Sequence, residues 1–78
     1  MRVTVAAFGE LRRHLLAGER ERALELSEDA TLADLARALA VDPEELPLAR
    51  RSDGAILRED AALHDGDCIE LFAPIGGG

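Results

Sequence analysis

The sequence predicts an α+β fold, a mixed sheet of four or five strands with one main helix packed on it. Three observations lead there. Strand-like segments stand at both ends, at residues 2–8 and 68–72. One stretch in the middle carries apolar residues at helical spacing: Leu32, Leu35, Ala36 and Leu39. Short β-prone pieces divided by turn signals fill the remainder, and strands arranged around one helix suit a helix laid across a sheet. At 78 residues this is one small domain, near the lower size for a self-sufficient core.

Each element has a local reason. Val3-Thr4-Val5 alternates apolar and polar and is β-branched, so residues 2–8 read as a strand that Gly9 breaks. Leu11, Leu15 and Leu16 then have the spacing of a short helix or turn over residues 10–16. Residues 22–26 put Leu24 and Leu26 on one face, a second strand hairpin-paired to the first. Thr31 can cap a helix, with Asp34 in the capping-box position, where Asp is a weaker match than Glu or Gln. The main helix is expected over residues 32–40, with Arg37 complementing the helix dipole and Asp42-Pro43 as its stop.

The second half is more broken. Residues 43–47 form a connector, and residues 48–50 and 55–57 are short strands joined by the Asp53-Gly54 hairpin signal. Residues 58–62 make a loop or helical turn, with Leu63 anchoring it in the core. Asp65-Gly66-Asp67 is a tight turn. In the final strand Ile69 and Leu71 share one face, and Cys68, Glu70 and Phe72 the other. This strand is expected beside the first, in the middle of the sheet. Pro74 and the glycines prevent it from continuing.

Composition narrows the function classes. Hydrophobic residues make up 47%, mostly Leu and Ala, and the aromatics are Phe8 and Phe72 alone. Such an aliphatic core leaves little room for a buried cofactor pocket. The net charge of −7 argues against nucleic acid as a partner. All nine basic residues are arginine, so an activated acyl group on the chain meets no internal lysine amine. Cys68 is the sole cysteine and reads as a small buried hydrophobe. His14 and His64 have no ligand-spaced partners, and no nucleophile–base pair is evident. The expectation is a cytoplasmic protein with no membrane span, no metal site and no catalysis of its own.

Attention therefore falls on the last residues, Phe72-Ala73-Pro74-Ile75-Gly76-Gly77-Gly78. Glycine lacks a Cβ, so such a run packs poorly into a core but threads easily into a narrow site on another protein. The reactive group expected here is the α-carboxyl of Gly78, with Gly77 keeping its approach free of side chains and Gly76 adding flexibility. Residues 1–72 are read as the folded domain and residues 73–78 as a flexible tail, with a reach of roughly 20 Å. Ordering that tail costs on the order of 1–2 kcal/mol per residue. A docking surface near its root must offset this, and Phe72, Pro74 and Ile75 are the candidates.

Several segments together carry a family resemblance. The run from Val3 to Arg12, the helix start Thr31-Leu32-Ala33-Asp34-Leu35, and the stretch from Leu63 through the Asp65-Gly66-Asp67 turn to Gly78 resemble the ubiquitin-like β-grasp sulfur carriers of the MoaD/ThiS type. The resemblance covers the whole chain. Its most specific part is the Asp-Gly-Asp turn, last strand, F-x-P and terminal diglycine at this spacing. Ala49-Arg50-Arg51 departs from it, standing where many relatives carry an Asn. Phe72 and Pro74 lean towards the small subunit of molybdopterin synthase.

The resemblance implies a chemistry. In the family, a ubiquitin-activator-like adenylyltransferase uses ATP to convert the C-terminal carboxylate to an acyl-adenylate. Sulfur delivered by a sulfurtransferase or cysteine desulfurase displaces AMP and leaves a thiocarboxylate. A sulfur-accepting enzyme, such as the molybdopterin synthase large subunit, then takes the sulfur. ATP and zinc would sit on the activating partner, and this chain would bind no cofactor. Thiamine synthesis, tRNA thiolation and other routes remain open beside molybdopterin. So do a protein modifier conjugated through Gly78 and a non-reactive β-grasp interaction module.

Overall fold

The computed structural model describes residues 1–8, 19–45 and 48–72. Its strands are β1 (Arg2–Ala7), β2 (Glu21–Glu25), β3 (Leu48–Arg51), β4 (Ile56–Leu57) and β5 (Cys68–Phe72). They form one sheet in the order β2-β1-β5-β3-β4. β1 and β5 run parallel in the middle, and the other pairings are antiparallel. The helix α1 (Leu32–Ala38) packs on one face of the sheet, and a 3₁₀ turn follows at Pro43–Glu45. This is a ubiquitin-like β-grasp with five strands, and its last strand lies beside its first, as the sequence led us to expect. The short helix expected over residues 10–16 and His14 lie outside the described residues.

Alternation sorts the strand residues into two faces. Val3, Val5 and Ala7 of β1, Ile69 and Leu71 of β5 and Ala49 of β3 are buried towards the helix, which returns Leu32, Leu35 and Leu39 to the same cluster. Leu63 joins them, anchoring the loop that precedes β5. Among the described residues the buried set is wholly apolar, so the core demands no buried polar partners. Among the described residues the opposite face of the sheet carries no helix. Cys68 belongs there, across from Thr4, and is exposed. The reading of it as a buried hydrophobe is therefore corrected, because strand parity and not apolar character decides its side.

The start of α1 is held from two directions. The Asp34 carboxylate accepts from the Thr31 N–H at 2.9 Å and from the Thr31 hydroxyl at 3.2 Å. The next two N–H groups are used differently: Leu32 donates to the Ala61 carbonyl and Ala33 to that of Glu59. The loop over residues 58–62 thus caps the helix, a role its sequence does not advertise. It satisfies donors that a helix terminus otherwise leaves orphaned.

The helix ends earlier than residues 32–40 suggest, and for another reason than Pro43. Ala40 adopts φ +62°. The Val41 N–H then reaches the Ala36 carbonyl at 2.9 Å and the Ala40 N–H that of Arg37 at 3.0 Å. That is a Schellman closure, which usually places glycine where this chain has alanine. The same left-handed backbone appears at Gly66 (φ +86°) and Gly54 (φ +97°), where glycine carries it without strain.

Two stability predictions follow from α1. Ala40→Gly should remove a left-handed strain of roughly 1–2 kcal/mol, partly offset by the greater unfolded-state entropy of glycine. A net gain of about 0.5–1 kcal/mol should appear as a melting temperature higher by about 2–8 °C. The Thr31 backbone N–H holds the Asp34 carboxyl below its ordinary value of 3.8, helped by the Thr31 hydroxyl and Arg37 against some desolvation. A depressed carboxyl stabilises the fold above its unfolded pKa, and the contribution fades as pH falls through the folded value. Asp34→Asn should therefore flatten the acid limb of the stability curve and leave its slope above about pH 6 unchanged, as read by urea unfolding at several pH values.

Candidate functional site

The site of interest is the root of the C-terminal tail, at the end of β5. That strand is paired on both sides. Thr4, Val5, Ala6 and Ala7 stand opposite Cys68, Ile69, Glu70 and Leu71, while Leu48, Ala49, Arg50 and Arg51 stand opposite Phe72, Leu71, Glu70 and Ile69. A central strand with its core-facing residues fully buried is among the last parts of a domain to open. Phe72, the last described residue of β5, is therefore held close to a fixed point.

The entry to β5 is fixed as well, and the Asp65-Gly66-Asp67 turn does it with its side chains. Asp65 accepts the Arg2 N–H at 2.7 Å, and the Gly66 N–H returns to the Arg2 carbonyl at 2.8 Å. The turn is thus clipped to the start of β1. Asp67 accepts the His64 N–H at 2.8 Å and pairs with the Arg51 guanidinium, Nη2 at 3.2 Å. Arg51 also donates to the Ala62 carbonyl. With only 19% and 12% of the two side chains exposed, this pair is screened far less than a surface one. The two carboxylates tie three segments into one base for β5.

At the other end of the strand, Phe72 faces away from the core and is half-buried. Its ring stacks on that of Phe8, with centroids 5.2 Å apart and planes 12° from parallel. The Arg50 guanidinium lies 4.7 Å from the Phe72 ring centroid and is held by Glu70. Phe8, Leu48 and Ile56 are 46%, 51% and 57% exposed. Leu48 sits opposite Phe72, and Ile56 opposite Arg50. The open face thus carries an apolar patch beside the tail root, with one ion pair set in it.

Of the residues singled out by sequence, the structure places Phe72 at this patch and outside the core. Pro74, Ile75, Gly76, Gly77 and Gly78 lie outside the described residues. The sequence reading did not assign Phe8, Leu48, Arg50, Ile56 or Glu70 to the site. Phe8 shares the outward parity of Thr4 and Ala6, so one signal was available. The others needed the pairing of β3 and β4 to β5.

Two further features lie away from the root. A shallow groove of about 630 Å³ runs along the helix side, between Thr31, Arg37, Asp42, Glu44 and Glu59. Among the described residues no three His, Cys, Asp or Glu side chains are grouped to hold a metal ion, and no helix is long and apolar enough to cross a membrane.

Comparison with known proteins agrees with this geometry. The ThiS family profile matches residues 5–78, almost the entire chain and the tail with it. The chain belongs to the ThiS family. That places it among the ubiquitin-like sulfur carriers. A Pyrococcus furiosus chain assigned as molybdopterin converting factor subunit 1 is similar at 25% identity and a TM-score of 0.77, over 96% of this chain and 99% of that one. The complex of subunits 1 and 2 of the molybdopterin-converting factor from Helicobacter pylori contains another, at 26% identity, TM-score 0.64, with both chains fully covered. Small archaeal modifier protein 1 of Haloferax volcanii shares the fold at 23% identity and a TM-score of 0.77, over 95% of this ThiS-family chain and 98% of that one. No curated protein matches the chain by sequence.

The anchoring of β5 can be tested directly. Asp67→Ala removes the acceptor of the His64 N–H and the carboxylate partner of Arg51, which keeps its bond to the Ala62 carbonyl, and should lower unfolding free energy by about 2 kcal/mol. Asp65→Ala, at an exposed bond, should cost less than half of that. Chemical denaturation of the two variants compares them.

Proposed function

We propose that this ThiS-family chain is a cytoplasmic sulfur carrier whose reacting group is the carboxylate of Gly78. It has no catalytic role of its own and is a protein substrate for its partners. The observation that carries the reading is the family match extending through the tail, joined to a β5 strand that is paired on both sides from Ile69 through Leu71. A rigid root suits a tail that must enter a recessed active site.

The chemistry balances in two steps. The Gly78 carboxylate attacks the α-phosphorus of ATP, forming an acyl-adenylate and releasing pyrophosphate. Sulfur, as hydrosulfide or the outer sulfur of an enzyme persulfide, adds to the acyl carbon and AMP leaves with the electron pair of the broken C–O bond. The persulfide route first leaves an acyl disulfide, whose S–S bond a partner thiol breaks to release the thiocarboxylate while itself ending in a disulfide. With hydrosulfide the products are the thiocarboxylate, AMP and a proton. ATP, and zinc if used, would be held by an activating partner of the ubiquitin-activator type, and a sulfurtransferase or cysteine desulfurase would supply the persulfide. Gly77 keeps the approach clear. Phe72, Pro74, Ile75 and Gly76 form the segment that docks, and the exposed Phe8, Leu48 and Ile56 extend the apolar surface it offers. Residues 1–72 act as the folded body and residues 73–78 as the arm.

The acceptor we favour is a molybdopterin synthase large subunit, because the Helicobacter pylori relative is seen with subunit 2 of its converting factor. The likeness to a small archaeal modifier protein supports a second reading, conjugation of Gly78 to amines of other proteins. Intact mass separates the two. Incubation with the activating enzyme, ATP and sulfide should add the mass of one oxygen-to-sulfur exchange, and deletion of Gly77-Gly78 should abolish it. Gly78-dependent conjugates with no thiocarboxylate form would overturn the sulfur-carrier reading.

A further inference from the structure

The chain holds two Asp-Gly pairs, Asp53-Gly54 and Asp65-Gly66. Both lie at exposed turns with the glycine at positive φ. An Asp-Gly pair has a chemistry of its own. The amide nitrogen of the glycine can attack Cγ of the aspartate before it. An N–Cγ bond forms, a Cγ–O bond breaks, and the oxygen leaves as water with the amide proton and one proton from solvent. Water then opens the five-membered imide at either carbonyl. Opening at Cγ restores aspartate. Opening at the backbone carbonyl leaves isoaspartate, with the main chain running through Cβ and Cγ. No oxidant or cofactor takes part. Glycine favours the attack because it has no Cβ to block it, and at both pairs the space where a Cβ would stand is open. Sequence, exposure and sterics therefore treat the two pairs alike.

Hydrogen bonding separates them. At Asp65-Gly66 both reacting groups are held by another strand. Asp65 accepts the Arg2 N–H at 2.7 Å, and the Gly66 N–H donates to the Arg2 carbonyl at 2.8 Å. The next residue, Asp67, is paired with Arg51, and its carbonyl accepts the Thr4 N–H at 2.9 Å. Bringing the Gly66 nitrogen onto Asp65 Cγ requires this turn to part from β1, in the middle of the sheet.

At Asp53-Gly54 the partners of both groups lie within the hairpin itself. Asp53 accepts the Ala55 N–H at 2.9 Å. The Gly54 N–H donates to the Arg51 carbonyl and the Arg51 N–H to that of Ala55, each at 2.8 Å. The tie to β5 stops at Ser52, whose N–H donates to the Cys68 carbonyl at 3.1 Å. Beside this turn β3 and β4 share two register pairs, Ala49 with Leu57 and Arg50 with Ile56, and β4 ends the sheet. Residues 52–56 are all exposed. A hairpin tip of that kind opens locally for far less free energy than the central strands.

We propose that Asp53 is a modification site. It forms isoaspartate spontaneously in the folded chain, through the imide with Gly54, while the clip to β1 shields Asp65 from the same reaction. The inference is independent of the sulfur-carrier reading. The product carries one more carbon in the backbone of a hairpin whose register depends on the length of its turn. The closure between Arg51 and Ala55 then gives way, and Ile56 loses its place opposite Arg50. The new isoaspartyl carboxylate is a substrate of the class taken by carboxyl methyltransferases that use S-adenosylmethionine.

The test incubates the full chain at neutral pH in water enriched in heavy oxygen and locates the label by peptide mapping, since each imide opening adds one labelled oxygen. In the folded chain Asp53 should take up label and the isoaspartyl linkage at least about tenfold faster than Asp65. In urea, above the unfolding transition, the two rates should converge. Asp53→Glu, which would have to close a larger ring, should lose the signal at position 53 and leave Asp65 as in wild type. The isomerised fraction, separated by chromatography, should exchange its Arg51 amide proton faster than the parent. Equal labelling of the two sites in the folded chain, faster labelling at Asp65, or no labelling of Asp53 while both react in urea overturns the proposal. A difference of the same size in urea overturns the shielding by β1, and unchanged Arg51 exchange overturns the effect on the hairpin.

Discussion

The structure depends on the parallel pairing of β1 with β5. Parallel neighbours cannot be joined by a tight turn, so everything between them must serve as the crossover. Here the intervening chain carries β2 to the outer side of β1, lays α1 across the sheet, and returns through β3 and β4 on the outer side of β5. Val3, Val5, Ala7, Ile69 and Leu71 then form an apolar strip under the helix. If that strip were shifted by one residue, it would turn to solvent, so register and burial enforce each other. The Asp65 and Asp67 carboxylates reinforce the same register at the entry to β5.

That pairing also separates the labour of the two sheet faces. The helix face supplies stability with no buried polar group among the described residues. The open face is left to Phe8, Leu48, Ile56, Phe72 and the Arg50–Glu70 pair. Isolated exposed apolar residues are ordinary, but several grouped around one strand end make a patch suited to a partner. Stability and recognition therefore use alternate residues of the same strands. A substitution on one face need not disturb the other.

Much of this was legible in the sequence. The capping pair Thr31–Asp34, the anchor Leu63, the Asp53-Gly54 hairpin and the alternation of residues 68–72 each follow from local spacing, and the structure has all of them. The central place of the last strand was expected and is found. Two readings did not carry over intact. The helix stops through a left-handed Ala40, which no composition rule flags, since glycine is the usual signal. Cys68 lies on the open face, where the alternation of residues 68–72 puts it with Glu70 and Phe72; its small apolar character pointed the wrong way. The loop over residues 58–62 is where it was expected, but its capping of α1 went unread, being a contact between segments far apart in sequence.

Local chemistry, read along the chain, determined the α+β class and the site and phase of each main element, and it drew attention to the glycine tail. Spacing and turn signals act within a few residues, so one strand of letters contains them. Only the tertiary structure decided what surrounds the root of that tail. Phe8, Arg50, Glu70 and Phe72 converge there from three strands or their ends. Their meeting depends on strand order and register, which are set by burial across the whole sheet and not by any residue's immediate neighbours.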